Sequence, residues 1–270
     1  MVDQEEPARF VNRWGDTSDP APGSRGSYRD TCMCFDQRKP HPRARVGFHP
    51  ERQDTSALSW QRLLALIEEA AADGREEFRP LAELSPDERR QIITLPVTIA
   101  KLTAVRHLVL YGSNLVRIPP EIGAMSSLEE FTPYTSYRLH WFPYEITRCS
   151  KLTRSTVSTR ALYGNYKLRA PFPRLQRPGS SSADRLDRGD LDPHIWGATT
   201  IRSCSVCGQQ IKQTELRQAW ISLRVATDAL PLLVNACSPQ CLTALPRGAG
   251  DYIPTTHAGG RVDQPSPDYL

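Results

Sequence analysis

Four of the chain's seven cysteines fall into two close pairs: Cys204-Ser205-Val206-Cys207, followed by Gly208, and Cys237-Ser238-Pro239-Gln240-Cys241. Two thiolates separated by two residues turn toward one cation when the chain makes a tight knuckle beneath them, and a glycine at 208 permits that turn. In the second pair Ser238 and Pro239 are helix-start residues, which places Cys237 just ahead of a helix and Cys241 in its first turn. Four thiolates favour tetrahedral zinc in a structural role, because they leave no coordination position open for water. An iron–sulfur cluster and a redox pair at Cys204 and Cys207 stay open on spacing alone, although no βαβ pattern surrounds the pair. The expected cofactor is one structural zinc on Cys204, Cys207, Cys237 and Cys241.

An odd number of cysteines argues against a disulfide framework. Cys32 and Cys34 (TCMCF), with His41 and His49, form a weaker second cluster, since a C-x-C in an irregular arm is more often two free thiols. Cys149 occupies an apolar position of a repeat and is expected to be buried.

The elements that must position the first cluster follow in order. Trp220 to Val225 alternates like a strand, and Leu230 to Val234 is a short apolar run leading to Cys237. Knuckle, hairpin and helix in this order resemble a treble-clef zinc finger, whose second half is similar to NACSPQC here. The resemblance implies that residues 199–246 fold around the metal as a small β-hairpin/α module.

Upstream, Leu95-Pro96, Ile118-Pro119 and Phe142-Pro143 recur at intervals of 23 and 24 residues. Ile99, Ile122 and Ile146 recur in register, as do Leu102, Met125 and Cys149, and then Val105, Leu128 and Leu152. A unit of this length is a strand plus a return segment, and neither buries its apolar face unless neighbours stack on it. The pattern resembles the leucine-rich repeat family with units of the form LPxxIxxLxxLxxLxL. For residues 94–175 it implies an α/β fold, a short leucine-rich-repeat solenoid. Pro133 in the second strand, Ser155 in place of a leucine, and Ser113, Ser136 and Arg160 where the family usually has asparagine depart from the pattern.

A solenoid needs caps. Asp54 or Ser56 starts an amphipathic helix carrying Trp60, Leu63, Leu64, Ile67 and Ala71 and ending at Gly74, and Ser85-Pro86-Asp87-Glu88 is a capping box. Residues 54–93 are therefore read as an N-terminal helical cap. Residues 161–175, with Tyr163, Tyr166 and Phe172, are read as cover for the last unit. The remainder is an irregular arm (1–53) with little core, a polar linker (176–198), and a Pro/Gly-rich tail (247–270) that either crosses a neighbour or stays loose.

Alternation along each strand turns the leucine positions inward and leaves His107, Val109 and Tyr111, Glu130, Thr132 and Tyr134, and Arg154, Thr156 and Ser158 on the open face. Tyrosine and arginine suit protein contacts, although tyrosine and threonine are also ordinary strand residues. The net charge of +4 names no partner: residues 92–175 hold 11 Lys/Arg against 4 Asp/Glu, but these are scattered over the repeat. No phosphate loop, G-x-S-x-G or H-E-x-x-H signature is present, so no enzyme is expected. An acidic start without a secretory pattern, and no apolar run of membrane length, lead us to expect a cytoplasmic protein. The expected role is that of a scaffold or adaptor binding another protein through this face, with nucleic-acid binding through the zinc module and the basic solenoid surface as the alternative.

Overall fold

The computed structural model describes residues 46–49, 51–165, 172–175, 203–211, 215–260 and 262–265. The amphipathic run forms helix α1 (Leu58–Asp73), which buries Trp60, Leu63, Ile67 and Ala70. Gly74 closes it in the left-handed region at φ 68°, its N–H bonded to the Ala70 carbonyl. The start differs from expectation: Ala57 holds the cap position with no side-chain bond, while the Asp54 carboxylate accepts from Ser56 N–H and Oγ at 2.8 and 2.6 Å, making a turn ahead of the helix. The capping box forms in both directions at α2 (Pro86–Gln91): Ser85 N–H donates to Glu88 Oε2 at 2.7 Å, and Glu88 N–H donates to Ser85 Oγ at 3.3 Å.

Four short parallel strands make the first sheet, in the order β1 (Glu77–Phe78), β2 (His107–Val109), β3 (Glu130–Thr132), β5 (Arg154–Ser155). His107 lies opposite Glu130, and Glu130 opposite Arg154. Between successive strands the chain returns through 3-10 turns at Val97–Lys101, Pro120–Ala124 and Tyr144–Arg148. Each turn follows a proline (Pro96, Pro119, Pro143) whose fixed φ suits the entry, and each drives an isoleucine (Ile99, Ile122, Ile146) into the core. Strand β1 has no repeat signature in the sequence; it is recruited by pairing with β2 through Phe78 and Leu108.

The second sheet runs β4 (Phe142–Pro143), β7 (Asp228–Ala236), β6 (Arg217–Val225). Strands β6 and β7 are an antiparallel hairpin closed at Ala226-Thr227, with Ala226 at φ 53°, as a tight two-residue turn demands. Leu232 and Leu233 of β7 pair in parallel with Phe142 and Pro143. Ile221, Leu230, Leu232 and Val234 therefore belong to the same buried cluster as Leu108, Ile122, Phe131 and Ile146. A module with a thin core of its own is not what forms; the hairpin extends the larger core.

This docking explains one departure from the repeat pattern. Ser155 sits on β5, the sheet's edge, and the hairpin's polar tip bonds to it. Its hydroxyl donates its one hydrogen to Asp228 Oδ2 at 2.8 Å, with the Val225 carbonyl oxygen also within 3.2 Å, and Thr227 Oγ1 donates to the Ser155 carbonyl at 2.7 Å. A leucine there would remove the hydroxyl's bonds to Val225 and Asp228 and keep only the backbone bonds to Thr227. At the other departures, Ser113 Oγ and Ser136 Oγ stand 2.6 Å apart and Ser136 Oγ donates to the Leu110 carbonyl, a hydroxyl ladder across the loops.

A second core is aromatic. Phe48, Trp141, Tyr163 and Phe172 surround Trp220, with ring centroids 5.4 to 5.9 Å from it. The arm therefore contributes core after all: Phe48 is buried, and Gln53 accepts from Ile93 N–H at 2.8 Å. Single aromatics far apart in sequence make this cluster, and no periodicity announces it. The tail crosses β6, where Trp220 and His257 exchange backbone bonds at 2.8 and 3.1 Å. Tyr166 and residues 176–198 lie outside the described residues. No helix among the described residues is long and apolar enough to cross a membrane.

Candidate metal centre

The first ligand pair sits on a turn that its own backbone closes. Gly208 N–H bonds back to the Cys204 carbonyl at 3.0 Å, Cys204 N–H donates to the Gln209 carbonyl at 2.7 Å, and Gly208 adopts φ 75°. The second pair sits at the end of β7 and the start of α3 (Pro239–Thr243), where Ser238 Oγ accepts from Cys241 N–H at 3.2 Å. The knuckle and hairpin are clamped together by Ser205 N–H on the Asn235 carbonyl at 2.7 Å and Asn235 N–H on Ser205 Oγ at 2.9 Å.

These elements bring the Sγ atoms of Cys204, Cys207, Cys237 and Cys241 within 4.8 Å of one another. Cys207 and Cys237 are 3.6 Å apart, as are Cys237 and Cys241. A disulfide would require about 2.0 Å. Four sulfurs placed tetrahedrally at about 2.3 Å from one ion lie about 3.8 Å apart. The arrangement is thus that of ligands around a common centre. Cys204 is buried, Cys237 and Cys241 are half-buried and Cys207 is exposed, so the centre lies at the surface.

Electrostatics point the same way. Burial pushes the Cys204 thiol up, but the N–H groups of Cys207, Cys237 and Val206 directed at it outweigh burial and bring it down to about 7. Cys237 is pushed up to about 12 by the neighbouring Cys207 and Cys241 thiols. One thiolate forms readily and a further one is resisted by its neighbours, so full deprotonation needs a cation among them. Cys149, by contrast, is simply buried: desolvation lifts it to about 11, and its Sγ donates to the Ile122 carbonyl.

Sequence reasoning missed what stands behind the knuckle. Arg148 Nη2 donates to the Ser205 carbonyl at 2.9 Å and to the Cys204 carbonyl at 3.4 Å. Beside it Glu145 is buried, its carboxyl pushed up by desolvation and held partly in check by a hydrogen bond from Ser205. Both residues lie on the 3-10 turn at Tyr144–Arg148, so the four-cysteine cluster rests on the parallel-sheet unit. Arg148 reads in the sequence as one of several scattered basic residues, and only the fold gives it this contact.

No protein-family model matches this chain, and none of the curated proteins matches it.

The nine face residues divide. Tyr111 and Tyr134 are exposed and adjacent, with ring centroids 6.1 Å apart. His107, Val109, Glu130 and Thr132 are half-exposed, and Arg154 and Thr156 are exposed. His107 Nε2 is 3.0 Å from Thr132 Oγ1, and Arg154 reaches Glu130 at 2.9 Å, so a polar row crosses the strands below the tyrosines. Ser158 does not belong to this face. It is buried, its hydroxyl accepting from Thr135 N–H at 2.8 Å, because the chain turns into the 3-10 segment Thr159–Ala161 directly after it. Cys32, Cys34 and His41 lie outside the described residues.

Proposed function

We propose that this protein is a non-enzymatic interaction scaffold: a short leucine-rich solenoid that binds another protein on its open sheet face and is closed at one edge by a zinc-held treble-clef module. The steps of 23 and 24 residues from His107 to Glu130 to Arg154 along the parallel strands, and the matching proline-led turns, support the solenoid reading. The order of knuckle, hairpin and helix around four converging sulfurs supports the treble clef, and the donor set favours zinc over harder cations. The observation that carries the binding role is the exposed pair Tyr111 and Tyr134, 38% and 45% accessible. Two large amphipathic rings side by side on a rigid sheet, flanked by Glu130 and Arg154, offer apolar area at low entropic cost with polar tips to orient a partner.

Nucleic-acid binding is less well supported, because several basic residues of the middle segment are engaged within the chain. Arg106 pairs with Glu76 and Glu129, Arg138 with Glu51, and Arg117 and Arg148 donate to backbone carbonyls. Steep loss of heparin retention with salt would favour it nonetheless. The direct test of the scaffold reading compares partners recovered with wild type and with a Tyr111→Ala/Tyr134→Ala/Arg154→Ala variant of unchanged thermal stability. Loss of a partner from the variant is expected; recovery of the same partners with both removes this face from consideration.

A further inference from the structure

A polar cavity of about 290 Å³ lies apart from both the open sheet face and the four-cysteine cluster. Three stretches distant in sequence wall it: residues 159–165, which follow the last strand of the parallel sheet, the tip of the β6–β7 hairpin, and residues 250–252 of the tail. Its volume is at the lower end of the range for small-molecule sites, about 300 Å³. Leu162 and Tyr163 give it an apolar side, and its charged groups are Arg224, Asp228 and Asp251.

Arg224 and Asp228 are neighbours that do not pair. Arg224 Nη1 donates to the Thr227 carbonyl at 3.1 Å, which holds the guanidinium beside residue 228, yet no ion pair joins the two charges among the described residues. The remaining guanidinium N–H groups meet no acceptor among these residues. The Asp228 carboxylate is oriented through one oxygen: Oδ2 accepts from the Ser155 hydroxyl at 2.8 Å and lies 3.4 Å from Thr227 Oγ1, whereas Oδ1 accepts from no group among the described residues. A guanidinium and a carboxylate fixed close together, each with unused hydrogen-bonding capacity, match a ligand that carries both charges on adjacent groups. An α-amino acid does so, with one carbon between its ammonium and its carboxylate.

The tail closes the wall in a fixed conformation. Ala249 N–H donates to the Ser222 carbonyl on β6 at 2.8 Å, and Tyr252 N–H donates to the Ala249 carbonyl at 3.2 Å. Asp251, inside that turn, stands at φ 65°, in the left-handed region that most side chains avoid. Backbone held this way outside glycine clusters at sites that present their groups in one arrangement.

We propose that this cavity binds a free α-amino acid with a basic side chain. The planar fork of Arg224 takes the ligand carboxylate through Nε and Nη2, and Asp228 Oδ1 takes the ammonium. Two carboxylates, Asp228 and Asp251, line the cavity with one guanidinium, which favours a basic side chain over an acidic one. Leu162 and Tyr163 offer apolar contact to its methylenes.

The test is isothermal titration calorimetry on the full-length protein with L-lysine, L-arginine, L-glutamate and cadaverine, which keeps the amines of lysine and lacks its carboxylate. Saturable binding of L-lysine or L-arginine is expected below about 1 mM, with L-glutamate and cadaverine weaker by about tenfold or more, as loss of one charged hydrogen-bonded contact implies. Arg224 is exposed, so Arg224→Gln should leave the urea midpoint unchanged and weaken lysine binding by a similar factor. Asp228→Asn keeps an oxygen for Ser155, removes the charge and should weaken binding likewise; if it also lowers the urea midpoint, Arg224→Gln decides alone. Absence of binding by either basic amino acid up to about 10 mM overturns the proposal. So does L-glutamate or cadaverine binding as tightly as L-lysine, or lysine binding that is unchanged in Arg224→Gln.

Discussion

Leu232→Ala tests whether the hairpin and the parallel-sheet unit are one cooperative structure. Leu232 is fully buried in the middle of β7, between Phe142 of β4 and Ile221 of β6. With strands on both sides the site has little room to collapse, so truncation falls toward the upper part of the range for buried leucines, about 3 to 5 kcal/mol. At a urea m-value of about 2 kcal/mol/M the midpoint moves down by roughly 2 M. Hydrogen exchange followed by mass spectrometry across a urea series reads the hairpin peptides and the α1 peptides separately. Because both belong to one buried cluster, α1 should lose protection at the same lowered midpoint as β6 and β7. An α1 midpoint that stays at its wild-type value while the hairpin's falls would refute the shared core.

Two further predictions follow from single residues. Burial holds the His257 imidazole down at about 4, against about 6.5 when unfolded, so its contribution is complete above pH 6.5 and is lost as pH falls from 6.5 toward 4. At 1.36 kcal/mol per unit that is about 3 kcal/mol at most. Urea midpoints measured from pH 7 to 4 should fall less in His257→Gln than in wild type, and equal slopes would exclude His257 as the acid-sensitive group. Gly208 stands at φ 75° with open space where a Cβ would lie, so Gly208→Ala meets no clash and costs only backbone strain, about 1 to 2 kcal/mol. Chelator competition should show zinc held about five- to thirtyfold more weakly, with Gly208→Asn less affected; unchanged affinity would mean that the turn carries no strain.

What the sequence discloses here is what local chemistry decides. The Ser85–Glu88 box, the Gly74 stop, the proline-led turns and the spacing of the four cysteines each depend on a few adjacent residues, and each forms as read. The rest depends on partners distant in the chain. Strand β1 is two residues long and exists through its pairing with β2. The docking of β7 on Phe142 and Pro143 joins residues some ninety apart, and Phe48 finds Trp220 across a longer interval still. Ser155 reads as a flaw in the repeat until the hairpin tip supplies its partners. Ser158 reads as a face residue because strand alternation is extended one step too far. His49 is visible beforehand only in a weak cluster with Cys32, Cys34 and His41, while its ring stacks on His140 at 5.1 Å between centroids, a contact between residues about ninety apart that nothing in the sequence announces.

The four-cysteine centre is tested most directly by zinc content and stability measured together in wild type and Cys204→Ser, prepared identically. The variant should carry one zinc fewer per chain and unfold at a lower urea concentration, with the hairpin peptides losing protection. Equal zinc in the two proteins, or a lost zinc with an unchanged unfolding midpoint, would contradict a structural metal at Cys204, Cys207, Cys237 and Cys241.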